Sequence, residues 1–303
     1  MKKDSKSFNH LYTQAEKHLV KNNKRQGFNG KQTYMRNVKA FVRHLDKNFG
    51  SNNFKNLNDK HIISFVNERQ NEVTTKTLLN ELSAIRKLHE LLPKKRYKNL
   101  IKNEDLQINR SDLDKNNEKT ERAWTGDEYK KGLELAQDMN RQDVVHAMKL
   151  AKNFGLRINE TTALSRYQLK EALKNGFLSL ENTKYNIQRD VQIDTKEQRQ
   201  VIESVLKSTN NERIFIKNGL PHGKAKERIS RWIRNHRDKF QNENSIVDGR
   251  EKVDISFHGL RHSYARNSVN FLKNERDLTD KQAKITTSHS MGHGRAEITD
   301  IYL

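Results

Sequence analysis

Apolar residues recur at helical spacing through the first ninety positions. Phe8, Leu11, Tyr12, Ala15, Leu19 and Val20 keep the i, i+3, i+4, i+7 rhythm of one helix face. Tyr34, Val38, Phe41, Val42, Leu45 and Phe49 mark a second helix. Asn58 is a candidate N-cap for a third, which carries Ile62, Ile63, Phe65 and Val66. A fourth starts near Thr74 and carries Leu78, Leu79, Leu82, Ile85, Leu88 and Leu92. These stripes read as core, with lysine and arginine on the other faces. Pro93 ends the fourth helix. Residues 93–121 lose the rhythm and fill with Lys, Asn and Asp, so they read as a linker between a helical domain (1–92) and a second domain (122–303).

The second domain alternates. Thr125-Gly-Asp-Glu128 is a capping box that opens a helix. Helices fit 126–138, 141–155, 159–174, 196–207, 222–240, 258–272 and 279–290. β-like runs fall at 177–180, 186–193 and 213–216. The expected class is mainly α with a small β-sheet, the sheet lying in the second domain. No internal repeat or low-complexity tract appears.

Charge adds a functional direction. The 303 residues carry a net charge of +21, with charged residues at 32% and apolar ones at only 33%. Residues 1–100 hold +14 of that excess and residues 101–303 the remaining +7. Such a concentration suits a polyanion, nucleic acid first, although a merely solvated basic surface has the same composition. No apolar run approaches the length of a membrane span. The MKKDSKSFNH start has no apolar segment after its lysines, so no signal peptide is expected. Without cysteine, disulfides, thiolate catalysis and Cys-based zinc sites are excluded.

Four segments carry chemistry. They are Gly155-Leu-Arg157-Ile-Asn-Glu160, Thr183-Lys184, His258-Gly-Leu-Arg261-His262, and Met291-Gly-His293 with Tyr302 nine residues after the histidine. Arginine is a rigid bidentate donor to phosphate oxygens, and two of them stabilise charge on a phosphorane. Lysine serves as a general acid, histidine as acid or base, and tyrosine as a nucleophile toward phosphorus. The set suits metal-free phosphoryl transfer through a phosphotyrosine. Each member also has a plainer reading. Arg157 and Glu160 form an i, i+3 salt bridge, a hairpin lysine is usually solvated, and a near-terminal tyrosine packs. The i, i+4 pairs His258/His262 and His289/His293 have the spacing of two zinc ligands on one helix face.

The order of these motifs resembles that of the tyrosine recombinase (phage integrase) family. GLRINE looks like its first box, TK before a β-run its hairpin lysine, HGLRHSYA its His-x-x-Arg-His box, and MGHGRAEITDIY its Gly-His motif with the tyrosine. The likeness runs from about residue 8 to 302. It implies a helical, SAM-like core-binding domain and a catalytic domain, closing as a C-shaped clamp on double-stranded DNA. It implies that Tyr302 attacks the scissile phosphate and is joined to the 3′ phosphate. Arg157 and Arg261 clamp the non-bridging oxygens, and Lys184 protonates the leaving 5′ oxygen, with Lys196 as second candidate. His258 assists proton transfer, His293 bonds the phosphate, and Glu160 and His262 support the site. No cofactor and no metal is implied. The working form is a homotetramer on two DNA sites, in a cytoplasmic, DNA-associated setting, with accessory DNA-bending or directionality factors as further partners.

Two departures from the family stand out. Only about seven residues precede the first helix, so an arm-binding domain is not expected. Only Leu303 follows Tyr302, where the family usually continues into a segment that docks on a neighbouring subunit. The expected function is site-specific recombination for a mobile element. A topoisomerase of the IB type, and a DNA-binding regulator without catalysis, are the alternatives.

Overall fold

The computed structural model describes residues 4–23, 27–51, 53–108, 121–181, 188–216, 222–242, 246–247, 250–251, 254–293, 300 and 302–303. It divides into two compact units, Met1–Glu118 and Lys119–Leu303, each around its own apolar core.

The first unit is helical. Helix α1 (Lys6–Glu16) begins where Ser5 Oγ accepts from the Phe8 amide, and one π-helical turn (Lys17–Lys21) continues it. Helix α2 (Phe28–Phe49) ends at Gly50 in the left-handed region. Asn58 caps α3 (Asp59–Arg69) and Thr74 caps α4 (Thr75–Glu90), both by accepting backbone N–H groups. The stripes meet in the middle, where Leu11, Val38, Phe41, Leu82 and Ile85 are fully buried. Phe41 meets Phe65 edge to face, with centroids 5.2 Å apart. Two residues of the expected stripes stay out of the core. Ile63 is 40% exposed because adjacent Ile62 takes the inward direction, and Phe49, at the end of α2, lies on the His61 ring.

Beyond α4 the chain stays on this unit as far as residue 108, inside the stretch expected to be a linker. Ile108 is buried, and Leu100, Ile101 and Leu106 pack on the same core. Arg86 donates to the Ile101 carbonyl and to Asn103 Oδ1. Irregularly spaced apolar residues can anchor a chain without any helical rhythm, so periodicity does not reveal them.

The second unit is built on α6 (Gln142–Phe154), preceded by α5 (Gly126–Asp138). Helix α6 is apolar on most sides because α5, α9 (Lys196–Ser208) and α11 (Gly259–Glu275) all pack against it. The capping box at Thr125 and Glu128 forms as read from the sequence, and Glu128 also accepts from the Asn242 amide. The sheet is small. Strand β1 (Phe177–Leu180) pairs antiparallel with β2 (Arg189–Gln192), Phe177 opposite Gln192. A two-residue pair, β3 (Ile246–Val247) and β4 (Arg250–Glu251), follows α10 (His222–His236), and α12 (Asp280–Ser290) follows α11.

Three expected elements come out differently. The helix expected over 159–174 is two, α7 (Ile158–Ala163) and α8 (Arg166–Asn175). Leu164 turns extended, and Ser165 starts the second helix through a capping box with Gln168. The run 213–216 forms no strand. Arg213 makes a single bridge to Ser165, and Ile214 and Phe215 go straight into the core. The helix expected to reach 240 stops at His236, and a 3₁₀ turn (Arg237–Lys239) completes it.

Candidate active site

Three tight backbone turns bring the predicted residues together. Gly155 ends α6 at φ +60°, and a Cβ there would lie 2.4 Å from the Tyr264 ring, so only glycine fits. The turn aims the Gly155 carbonyl at Arg261 and starts α7 with Arg157 as its N-cap. Gly259 opens α11 against the Arg122 carbonyl and the Trp124 ring, which sets His258 at the cap and Arg261 and His262 in the first turn. Gly292, at φ +65°, ends α12 and delivers His293.

Arg261 is wholly buried. It donates to the carbonyls of Gly155 and Met291, and its Nη2 lies 3.1 Å from His293 Nε2. Among the described residues no carboxylate bonds it directly. Burial, then the charges of Arg157 and Arg189, pull its pKa down to about 10. Glu160 is buried and holds Arg157 twice, by its Nη1 at 2.7 Å and its backbone N–H at 2.8 Å. Arg189 bonds the same carboxylate at 2.7 Å. Burial works to raise the Glu160 pKa, but the Arg189 charge and the Arg157 bonds and charge outweigh it, so the carboxyl sits below its usual range.

The Tyr302 ring stands among three histidines, with centroids at 4.4 Å (His262), 5.0 Å (His293) and 5.6 Å (His258). The Arg261 guanidinium lies 5.8 Å from the same ring. The Tyr302 hydroxyl is 3.4 Å from His258 Nε2. Burial first, then neighbouring cations, lower His293 and His262 to about 3 and His258 to about 4. At neutral pH all three rings are therefore uncharged. His293 Nε2 accepts from Arg261, and His258 Nε2 stands within reach of the Tyr302 hydroxyl.

An unfolded histidine titrates near about 6.5, so between about pH 3 and 6.5 the unfolded chain binds more protons than the folded one. Stability then rises with pH across that window and is lost as pH falls through it. Urea unfolding at pH 5 should show roughly 2 kcal/mol less stability for each of buried His262 and His293 than at pH 7.5, and less for solvent-facing His258. Equal midpoints at the two pH values would contradict this.

Of the eight residues expected in the site, seven gather here: Arg157, Glu160, His258, Arg261, His262, His293 and Tyr302. Lys184 lies outside the described residues, and Lys196 is the first residue of α9. His289 is exposed, and His293 leaves the helix at Gly292, so that pair shares no helix face. Among the described residues no three His, Asp or Glu side chains group as metal ligands. Nor is any described helix long and apolar enough to cross a membrane.

Sequence reasoning missed three residues. Arg189 occupies an inward position of β2 beside Val191, a parity signal present in NIQRDVQI. Arg266 donates to the Leu303 carbonyl at 3.2 Å and pairs with buried Glu121 at 2.6 Å. Both partners of that pair are remote in sequence, so no local motif marks them.

Residues 20–96 match the model of the phage integrase N-terminal SAM-like domain. No curated protein sequence matches the chain at a significant level. Among solved structures, a lambda integrase dimer bound to a core site aligns over 96% of this chain and 76% of its own, at 17% identity and a TM-score of 0.66. XerH recombinase in a post-cleavage complex with its difH substrate aligns over 98% and 83%, at 20% identity and 0.60. The Tn1549 transposon integrase with circular-intermediate DNA aligns over 96% and 94%, at 16% identity and 0.62. Residues 20–96 thus resemble the phage integrase SAM-like domain, and the chain as a whole shares the fold of these solved integrases and recombinases.

Proposed function

We propose that this protein is a site-specific DNA recombinase that cuts and rejoins DNA through a 3′-phosphotyrosine and serves to integrate or excise a mobile element. The observation that carries the reading is Tyr302 enclosed by His258, His262, His293 and Arg261. The phenol oxygen attacks the scissile phosphorus and passes its proton to His258 Nε2. Arg157 and Arg261 take the charge of the pentavalent phosphorane, and His293 supports it. Lys184 protonates the departing 5′ oxygen. The phosphotyrosine conserves the phosphodiester energy, so a 5′ hydroxyl from the partner duplex reverses the step and exchanges strands. The neighbours are integrases on DNA, one of them a lambda integrase tetramer on a Holliday junction. By analogy the working form here is a homotetramer on two sites. The basic first unit supplies non-specific affinity by counterion release.

The test uses a pool of short duplexes with randomised centres and one nick. Denaturant-resistant protein–DNA adducts should form, share a common sequence when recovered, and persist in excess EDTA, because guanidinium groups supply the positive charge. No adduct from any duplex would overturn the reading. An adduct that needs added zinc or magnesium would overturn the proposed charge supply.

A further inference from the structure

We infer that Arg189 is a positioning residue that locks the Arg157–Glu160 pair and the Gly292–His293 turn into one register; this rests on the recombinase reading above. Its side chain is buried and reaches from the small sheet to two of the motif segments. One Nη donates to Glu160 Oε2 at 2.7 Å. The other donates to the carbonyl of Ser290, the last residue of α12. Its aliphatic part lies against Gly292, where an added Cβ would stand 2.7 Å from Arg189 Cδ.

Each contact constrains a different catalytic group. Glu160 takes Arg157 on Oε1 and the Arg157 amide on Oε2, so the bond from Arg189 fixes the plane of the carboxylate. That plane sets the direction of the Arg157 guanidinium. The bond to Ser290 is charge-assisted and lies at the negative end of α12, which holds the turn that presents His293. Arg157 and His293 come from segments more than a hundred residues apart, and both meet one side chain. The described bonds of Arg189 go to Glu160 and Ser290, groups that hold Arg157 and the His293 turn, so its role is to place other groups.

The experiment uses the full chain and the nicked duplex recovered from the wild-type adduct. Arg189→Lys keeps a charge for Glu160 but cannot also bond Ser290 with the same geometry. Its single-turnover cleavage rate constant at saturating DNA should fall about 100-fold, the scale of an ångström-level misplacement. The DNA dissociation constant should stay within about twofold, and the final adduct yield should match wild type. A residue that only staples the fold would lower the yield and leave the rate constant of the remaining enzyme unchanged; that result overturns the inference. If Arg189→Lys does not fold, Arg189→Gln makes the same test, since it leaves the Gly292 turn untouched and removes the bridge from Glu160 to Ser290. Ring-proton NMR of the free protein separates this inference from the recombinase reading. In Arg189→Lys the His293 resonances should move while those of His146, in α6, do not. Absence of any wild-type adduct with a shifted His293 signal would sink the recombinase reading alone. An unmoved His293 signal would sink the placement.

Discussion

Tyr302→Phe is expected to form no covalent adduct on any nicked duplex while binding DNA as tightly as wild type. The substitution removes one oxygen, the proposed nucleophile, from a ring that stands among three histidine rings. Its single described hydrogen-bond contact is the long one to His258, 3.4 Å, so the fold loses little, roughly 1 kcal/mol or less. The ring itself stays, with its packing on His262 and His293. Loss of adduct with unchanged affinity and unchanged melting temperature therefore separates chemistry from binding and from folding. An adduct of normal yield in this variant would place the nucleophile elsewhere.

Arg261→Lys should lower the cleavage rate by about 10²–10³-fold or more, the range for loss of a preorganised charge donor. The guanidinium now serves three directions at once: the Gly155 carbonyl, the Met291 carbonyl and His293. An ammonium is a point charge and cannot span them. Each carbonyl left without a partner costs roughly 1–3 kcal/mol, so thermal stability should fall as well. Added sulfate or phosphate should stabilise the wild type more than the variant, because an anion held by the guanidinium binds the folded state. Cleavage within tenfold of wild type would show that Arg157 alone carries the phosphorane charge.

The proposed catalytic set is readable in the sequence because its members cluster in short ordered segments. His258, Arg261 and His262 share one helix turn, and Arg157 and Glu160 share another, so spacing in the chain translates into spacing in the fold. The same holds for the four helices of the first unit, whose apolar rhythm is the core itself. Arg189 was missed for a physical reason. A charged residue in a short strand reads as solvent-facing unless its buried carboxylate partner is known, and Glu160 lies twenty-nine residues earlier. The break at Leu164 was missed because the rhythm continues across it, while the cause, the Ser165 cap and its bridge to Arg213, is a tertiary event. Residues 100–108 looked like linker because their anchors follow no period.

Arg266 gives the site a mechanical property. It grips Glu121, where the chain enters the second unit, and the carbonyl of Leu303, next to Tyr302. The two ends of this unit are therefore tied through one guanidinium. The anchor itself sits on α11, so the entry of this unit, the middle of that helix and the residue beside Tyr302 share one joint. Loosening Glu121 would therefore free the backbone next to the proposed nucleophile as well.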